Sequence, residues 1–193
     1  GPRCPGGAGS AFFAGEPGEA SALREDLGAG DSLEAPFPLP RGEGVLVAET
    51  GVGKVAAALA VAHVLTRFRP SESFFLGVAG ALDPSLRALD ALLARAEKAA
   101  LALGLPFRRG VVATGDRFLA QREEAERLRA LHGADAVEME GAAALMVAWR
   151  FRHPMALLRV VTDGAGEGAA LDFQAFLREA ARRLGLLARA LVE

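Results

Sequence analysis

Short β-like runs alternate with longer helix-like runs along this chain, and that alternation predicts an α/β fold. The expected architecture is a single domain with a mostly parallel central mixed sheet flanked by helices. Two further observations agree. At 193 residues and 51% hydrophobic content, the chain can bury the core of one domain, and no linker is long enough to separate two. Residues 1–10 read as a loosely held terminus without the apolar core of a secretion signal. The domain is expected over 11–193.

The strands are predicted at 11–15 (AFFAG), 45–49 (VLVAE), 73–77 (SFFLG), 110–114 (GVVAT), 136–140 (AVEME) and 155–162 (MALLRVVT). Each is short, apolar and rich in β-branched or aromatic residues, or bounded by turn formers. Helical periodicity occupies 19–27, 52–68, 89–103, 121–131, 141–150 and 173–192. In the last of these Asp172 is placed to cap, ahead of Phe173, Phe176, Leu177, Ala180 and Leu184 on one face. Residues 28–44 are rich in Gly and Pro and predict an irregular connection.

Composition excludes several functions. The formal charge of −2 provides no footprint for a phosphate backbone or an anionic membrane. Apolar runs such as residues 55–65 fall short of a span, which needs roughly 18 residues. The single cysteine, Cys4, can form neither an internal disulfide nor a zinc site, which fits a reducing cytoplasm. His63, His132 and His153 share no pattern that would make a metal triad.

Ligands of parallel sheets bind beyond the carboxyl ends of the strands, and here nearly every strand is followed by residues that a buried strand does not need. Glu19 follows the first, ETGVGK the second, GVAG the third and TGDRFL the fourth. The fifth carries Glu138 and Glu140, two apart and so on one side of a strand. The sixth ends in Arg159, Thr162 and Asp163. Each also has a bland reading. Gly51-Val52-Gly53-Lys54 is no phosphate-binding P-loop, because the first glycine is absent and Val55 stands where a hydroxyl should hold magnesium; it is either a packing turn or a close approach of backbone to ligand. GVAG at 77–80 has the same two readings. Glu138 and Glu140 suit a solvated edge strand or a buried pair that needs partners. Asp163 and Asp116 suit turns or caps. Phe118 is either a core aromatic or a stacking platform, and Arg159, inside an apolar strand, demands a carboxylate partner.

The ordered set TGVGKVAAALA (50–60), GVAGAL (77–82), ATGDRFL (113–119), VEMEGAAA (137–144) and RVVTD (159–163) resembles the nucleosidase branch of the purine nucleoside phosphorylase family, methylthioadenosine/S-adenosylhomocysteine nucleosidases in particular. The resemblance spans most of the chain from Ala11 onward, and VEMEGAA is its most specific piece. It implies hydrolysis of the N-glycosidic bond of a 5′-substituted adenosine. Asp163 would protonate purine N7, Glu19 would activate water, and Arg159 would position the carboxylates, a division of labour like that of inverting glycosidases. Glu140 would bind the ribose hydroxyls with Glu138 beside it. Met139 and Val78 would lie at the sugar, Phe118 would stack on adenine, Leu119 would offer its backbone to the base, and Glu138 and Thr162, next to the acid, would complete the substrate-binding set. No metal or organic cofactor is implied. The implied partners are a small-molecule purine nucleoside and a second copy of the chain, in a homodimer or larger homo-oligomer.

Two departures from the family stand out. Val78 occupies a position where these nucleosidases usually carry serine. The family also has a further core strand and a long loop after the GVAGAL-like segment, where residues 83–90 here lead almost directly into the next helix, so residues are expected to be missing there. Three other functions compete. A phosphorylase would need an arginine for phosphate near the first strand, where Glu19 stands. A futalosine or aminofutalosine hydrolase of menaquinone synthesis is the nearest rival, because GVAGA also suits that branch; futalosine hydrolases and the phosphorylases of 6-oxopurines generally carry asparagine at the Asp163 position, whereas aspartate suits a 6-amino group. A nucleoside-binding protein without turnover would not need Glu19, Arg159 and Asp163 together.

Overall fold

The computed structural model describes residues 9–81, 91–119, 121–162 and 169–193. In chain order the elements are β1 (Ser10–Ala14), α1 (Pro17–Asp26), β2 (Arg41–Gly42), β3 (Val45–Glu49), α2 (Lys54–Arg67), β4 (Glu72–Ala81), α3 (Ala91–Ala102), β5 (Val112–Thr114), α4 (Arg122–His132), β6 (Ala136–Glu138), α5 (Gly141–Arg150), β7 (Met155–Thr162) and α6 (Ala169–Val192).

The seven described strands form one sheet in the order β2-β3-β1-β4-β6-β5, with β7 also paired to β4. It is mixed and mostly parallel, as predicted: β1 runs parallel to β3 and β4, β4 to β7, and β5 to β6, while β2–β3 and β4–β6 are antiparallel. Successive side chains point to opposite faces of a strand, so each face receives its own core. On one face Phe12, Val47, Phe74, Leu76 and Leu158 pack against Leu23 of α1, Ala96 of α3 and Leu184 of α6. On the other, Phe13, Leu46, Ala48 and Phe75 pack against Val61 and Val64 of α2 and Ala144 of α5. The stacked pairs Phe12–Phe74 and Phe13–Phe75 tie β1 to β4 on both faces, at 5.4 and 6.0 Å between ring centroids.

The register of β4 creates the site. Ser73–Phe75 of β4 lies between β1 and β7, and Gly80 between β6 and β7. Among the described residues, β1 and β6 therefore occupy the same edge of β4 but do not meet, and no described strand pairs with that edge between Phe75 and Gly80. A gap in a sheet edge exposes ladder hydrogen-bonding groups, which need other partners.

Several boundaries differ from the sequence expectation. β4 runs to Ala81 rather than to residue 77. α6 begins at Ala169, so Asp172 lies inside the helix and is not its cap. β6 stops at Glu138, and Glu140 is the N-cap residue of α5 rather than a strand residue. The stretch 28–44 includes strand β2 and a bridge between Ser32 and Pro40. Ser10 is already in the sheet, where its hydroxyl donates to Glu72 at 2.8 Å. Residues 83–90, where a family strand is expected to be absent, lie outside the described residues. So does Asp163.

Candidate active site

Glu19 sits in the first turn of α1 and is buried. Its carboxylate fills the gap in the β4 edge: Oε1 accepts the N–H of Val78 at 2.9 Å, and Oε2 accepts the N–H of Glu16 at 3.2 Å. A side chain thus takes a ladder amide that no described strand reaches, and through its other oxygen satisfies one of the orphan amides at the start of α1. Burial pushes the Glu19 carboxyl above its ordinary value, and the two amides and the charge of Arg159 offset this only in part. Val78, half-buried, holds Glu19 through its backbone, a contact that needs no hydroxyl.

Arg159 is the register partner of Gly77 in the adjacent strand. Its guanidinium lies 5.0 Å over the Phe75 ring and donates through Nη1 to the carbonyls of Phe75 and Leu158, both at 3.2 Å. Nη2 makes a buried 2.6 Å ion pair with Glu138, the carboxylate partner that its strand position demanded. Gly77 allows this crossing. A Cβ there would stand 3.2 Å from Arg159 Nη1 and 3.3 Å from Glu19 Oε1, so the glycine is where carboxylate and cation converge.

Glu138 ends β6 with both oxygens engaged. Oε2 accepts the N–H groups of Glu140 at 3.0 Å and Gly141 at 2.7 Å in addition to Arg159, and Oε1 accepts the hydroxyl of Thr114. Two amides turned toward one carboxylate explain why the strand stops here and a helix starts. Burial works to raise the Glu138 carboxyl, but Arg159 and the hydrogen-bond donors outweigh it and hold the group below its ordinary value. Glu140, also buried, accepts the N–H of Gly53 at 2.7 Å on Oε1. Burial pushes its carboxyl up, opposed by Gly53 and Arg159 and reinforced by Glu138. One guanidinium lies among three buried carboxylates; with the hydrogen-bond donors it holds its direct partner below the ordinary value, while burial outweighs it at the other two.

The GVGK turn serves this arrangement. Gly51 and Gly53 have φ of 79° and 104°, conformations that side chains resist, and they aim the Gly53 amide at Glu140. Lys54 pairs with Asp116 at 2.8 Å, joining this turn to the loop after β5. On that loop Phe118 is 56% exposed, whereas the Leu119 side chain is buried in a small cluster with Ala125 and Ala134. Met139 is half-buried between the two glutamates. Thr162 pairs with Gly80 at the end of β7.

Glu19, Arg159, Glu138 and Glu140 are therefore brought together, as the sequence suggested. Thr114 is the residue that sequence reasoning passed over, because nothing local marks a threonine at the end of a short strand. The histidines lie apart: His63 is packed between the rings of Phe37 and Phe68, and His153 shares a 2.8 Å hydrogen bond with Ser73 at the opposite end of β4. Among the described residues, no helix is long and apolar enough to cross a membrane.

Comparison with known proteins finds relatives in one family. The model of the phosphorylase superfamily matches residues 37–94 and 87–193. An aminodeoxyfutalosine nucleosidase of Campylobacter jejuni is 28% identical over 72% of this chain and 76% of its own. A 5′-methylthioadenosine/S-adenosylhomocysteine nucleosidase of Staphylococcus aureus is 28% identical over 71% and 76%. Among solved structures, the 5′-methylthioadenosine/S-adenosylhomocysteine nucleosidase of Neisseria meningitidis in complex with methylthio-immucillin-A superposes with a TM-score of 0.88 and 25% identity, covering 96% of this chain and 98% of that one.

Proposed function

The chain belongs to the phosphorylase superfamily, and from that premise we propose that it hydrolyses the N-glycosidic bond of a 5′-substituted adenosine, methylthioadenosine or S-adenosylhomocysteine, releasing adenine. The observation that carries this reading is the Glu19 carboxylate, buried, held by two backbone amides and raised in pKa beside Arg159. Such a group suits a general base near neutrality. A carboxylate at this position repels phosphate and accepts a proton from water.

Glu19 takes a proton from a water molecule as its oxygen bonds to C1′ of the ribose. The C1′–N9 bond breaks with its electron pair going to the base, and N7 receives a proton from Asp163, which follows directly on β7. Glu140 binds the ribose hydroxyls, and Phe118 supplies a ring face for the base. Glu138, with both oxygens engaged, orients Arg159 and the start of α5. The apolar side chains of Val55 and Leu59 on α2 and of Met146 and Trp149 on α5, exposed by 55–85%, support a homodimer or larger homo-oligomer. Light scattering on the eluting peak of a sizing column tests this, and a monomer would overturn it.

The activity is tested by incubating the protein with methylthioadenosine, S-adenosylhomocysteine, aminofutalosine, futalosine, adenosine and inosine, with and without phosphate, and measuring base release. Adenine release without phosphate is expected. Strict phosphate dependence would replace the hydrolase with a phosphorylase. A second reading, aminofutalosine hydrolysis, is supported by the relatives named aminodeoxyfutalosine nucleosidase, which match this chain at the same 28% identity as the methylthioadenosine/S-adenosylhomocysteine nucleosidases, and the same panel decides between them.

A further inference from the structure

Strand β5 is three residues long and pairs in parallel with β6, with Thr114 beside Glu138. Paired residues on neighbouring strands project to the same face, which brings the threonine hydroxyl to the carboxylate. Its oxygen accepts the N–H of Ala142 in the first turn of α5 at 2.9 Å, and its proton is donated to Glu138 Oε1. A hydroxyl has one proton to give, so the two bonds define each other: Ala142 occupies the oxygen, and the proton goes to the carboxylate. Directly afterwards, the N–H of Gly115 donates to the carbonyl of Glu138 at 2.9 Å, mooring the loop that carries Asp116 and Phe118 at the same level of the sheet.

We propose that Thr114 is a positioning residue: its hydroxyl locks the Glu138 carboxylate and the first turn of α5 to β5, holding the Arg159 and Glu140 side of the site in register with the Phe118 loop. This inference rests on the nucleosidase reading for its effect on turnover, but not for its geometry. Glu138 loses one of its donors when the hydroxyl is removed, and the Ala142 amide loses its acceptor. The charged groups that act with this carboxylate are Arg159, which pairs with it, and Glu140, whose carboxyl it pushes up.

The test compares Thr114→Val, which keeps shape and removes the hydroxyl, with Thr114→Ser, which restores it. Thr114→Val should raise KM on the order of tenfold with a smaller change in kcat, since positioning rather than proton transfer is disturbed, and Thr114→Ser should stay within about twofold of wild type. Carbon-13 NMR of the glutamate side-chain carboxyls provides a readout independent of turnover: the Glu138 resonance should titrate at higher pH in Thr114→Val and be unchanged in Thr114→Ser. If Thr114→Val shows no cooperative melt, Thr114→Ala takes its place. An unmoved Glu138 titration with wild-type KM in the hydroxyl-free variant, or equal losses in the valine and serine variants, would overturn the proposal. A wild-type protein that releases no base would end the nucleosidase reading, while the Glu138 titration would still decide the role of Thr114.

Discussion

Arg159 crosses the bare backbone of Gly77, its partner in the next strand, and a methyl group at that glycine would come within 3.2 Å of the guanidinium and 3.3 Å of the Glu19 carboxylate. The guanidinium and the Glu19 carboxylate thus approach each other across a position in β4 that has no side chain. Gly77→Ala should push the two groups apart by a few tenths of an ångström. Loss of kcat/KM on the order of tenfold or more is expected, because small displacements at a reacting centre are expensive, together with a destabilisation of about 1–3 kcal/mol typical of overpacking. Steady-state kinetics and thermal melts check both, and an unimpaired Gly77→Ala enzyme would show that the crossing has slack.

Glu19→Gln should lower kcat by about 10²–10⁴-fold, the usual range for general acid–base groups, and should remove a loss of stability that the wild type suffers as pH rises. Its folded-state pKa is raised above the ordinary 4.5, so the stability tied to its bound proton is present below 4.5 and lost as pH rises through the folded value. The glutamine variant lacks this loss. Melting temperatures from pH 4 to 8 should show the variant gaining on the wild type as pH increases; parallel curves would mean that the carboxylate carries no such strain.

Glu138 has the opposite sign. Its folded pKa lies below 4.5, so its contribution is present above that pH and disappears as pH falls through the folded value. Glu138→Leu leaves Arg159 charged, buried and without its counter-ion, and removal of one partner of a buried pair costs about 3–5 kcal/mol. Denaturant titration at pH 7 checks the magnitude, and a variant as stable as wild type would show that Arg159 finds another partner.

His153 contributes a pH dependence far from the chemistry. Burial lowers its pKa below 6.5, with Glu72 partly opposing, while its ring shares a hydrogen bond with the fully buried Ser73. The neutral ring stabilises the fold above pH 6.5, and that stability is lost as pH drops toward the folded-state pKa, because the unfolded chain takes up the proton first. His153→Gln should flatten the fall in melting temperature between pH 7 and 5. An unchanged slope would assign the acid sensitivity to other groups.

Asp163→Asn keeps size and hydrogen-bonding capacity but removes the proton assigned to N7. A loss of about 10²–10⁴-fold in kcat with little change in KM is expected. A substrate whose leaving group departs without protonation should rescue Asp163→Asn and not Glu19→Gln. Near-normal turnover of adenine nucleosides by Asp163→Asn would return this residue to the role of a turn former.

Strands, helices and the chemical character of the site were legible in the sequence because they depend on local periodicity and on residue types that a buried strand does not otherwise carry: AFFAG, VLVAE and SFFLG became β1, β3 and β4, and Arg159 in MALLRVVT required the carboxylate that Glu138 provides. The roles of the two glutamates of VEME depended on tertiary structure. Their spacing places both on one strand face, but β6 ends at Glu138, whose carboxylate gathers the amides of Glu140 and Gly141 while Glu140 turns to the Gly53 amide, 87 residues away in sequence. The gap in the β4 edge, the amide of Val78 that Glu19 fills there, and the hydroxyl of Thr114 likewise arise from register between distant strands. Local propensity sets which residues form a strand; only the pairing of strands decides which backbone groups are left for a carboxylate to satisfy.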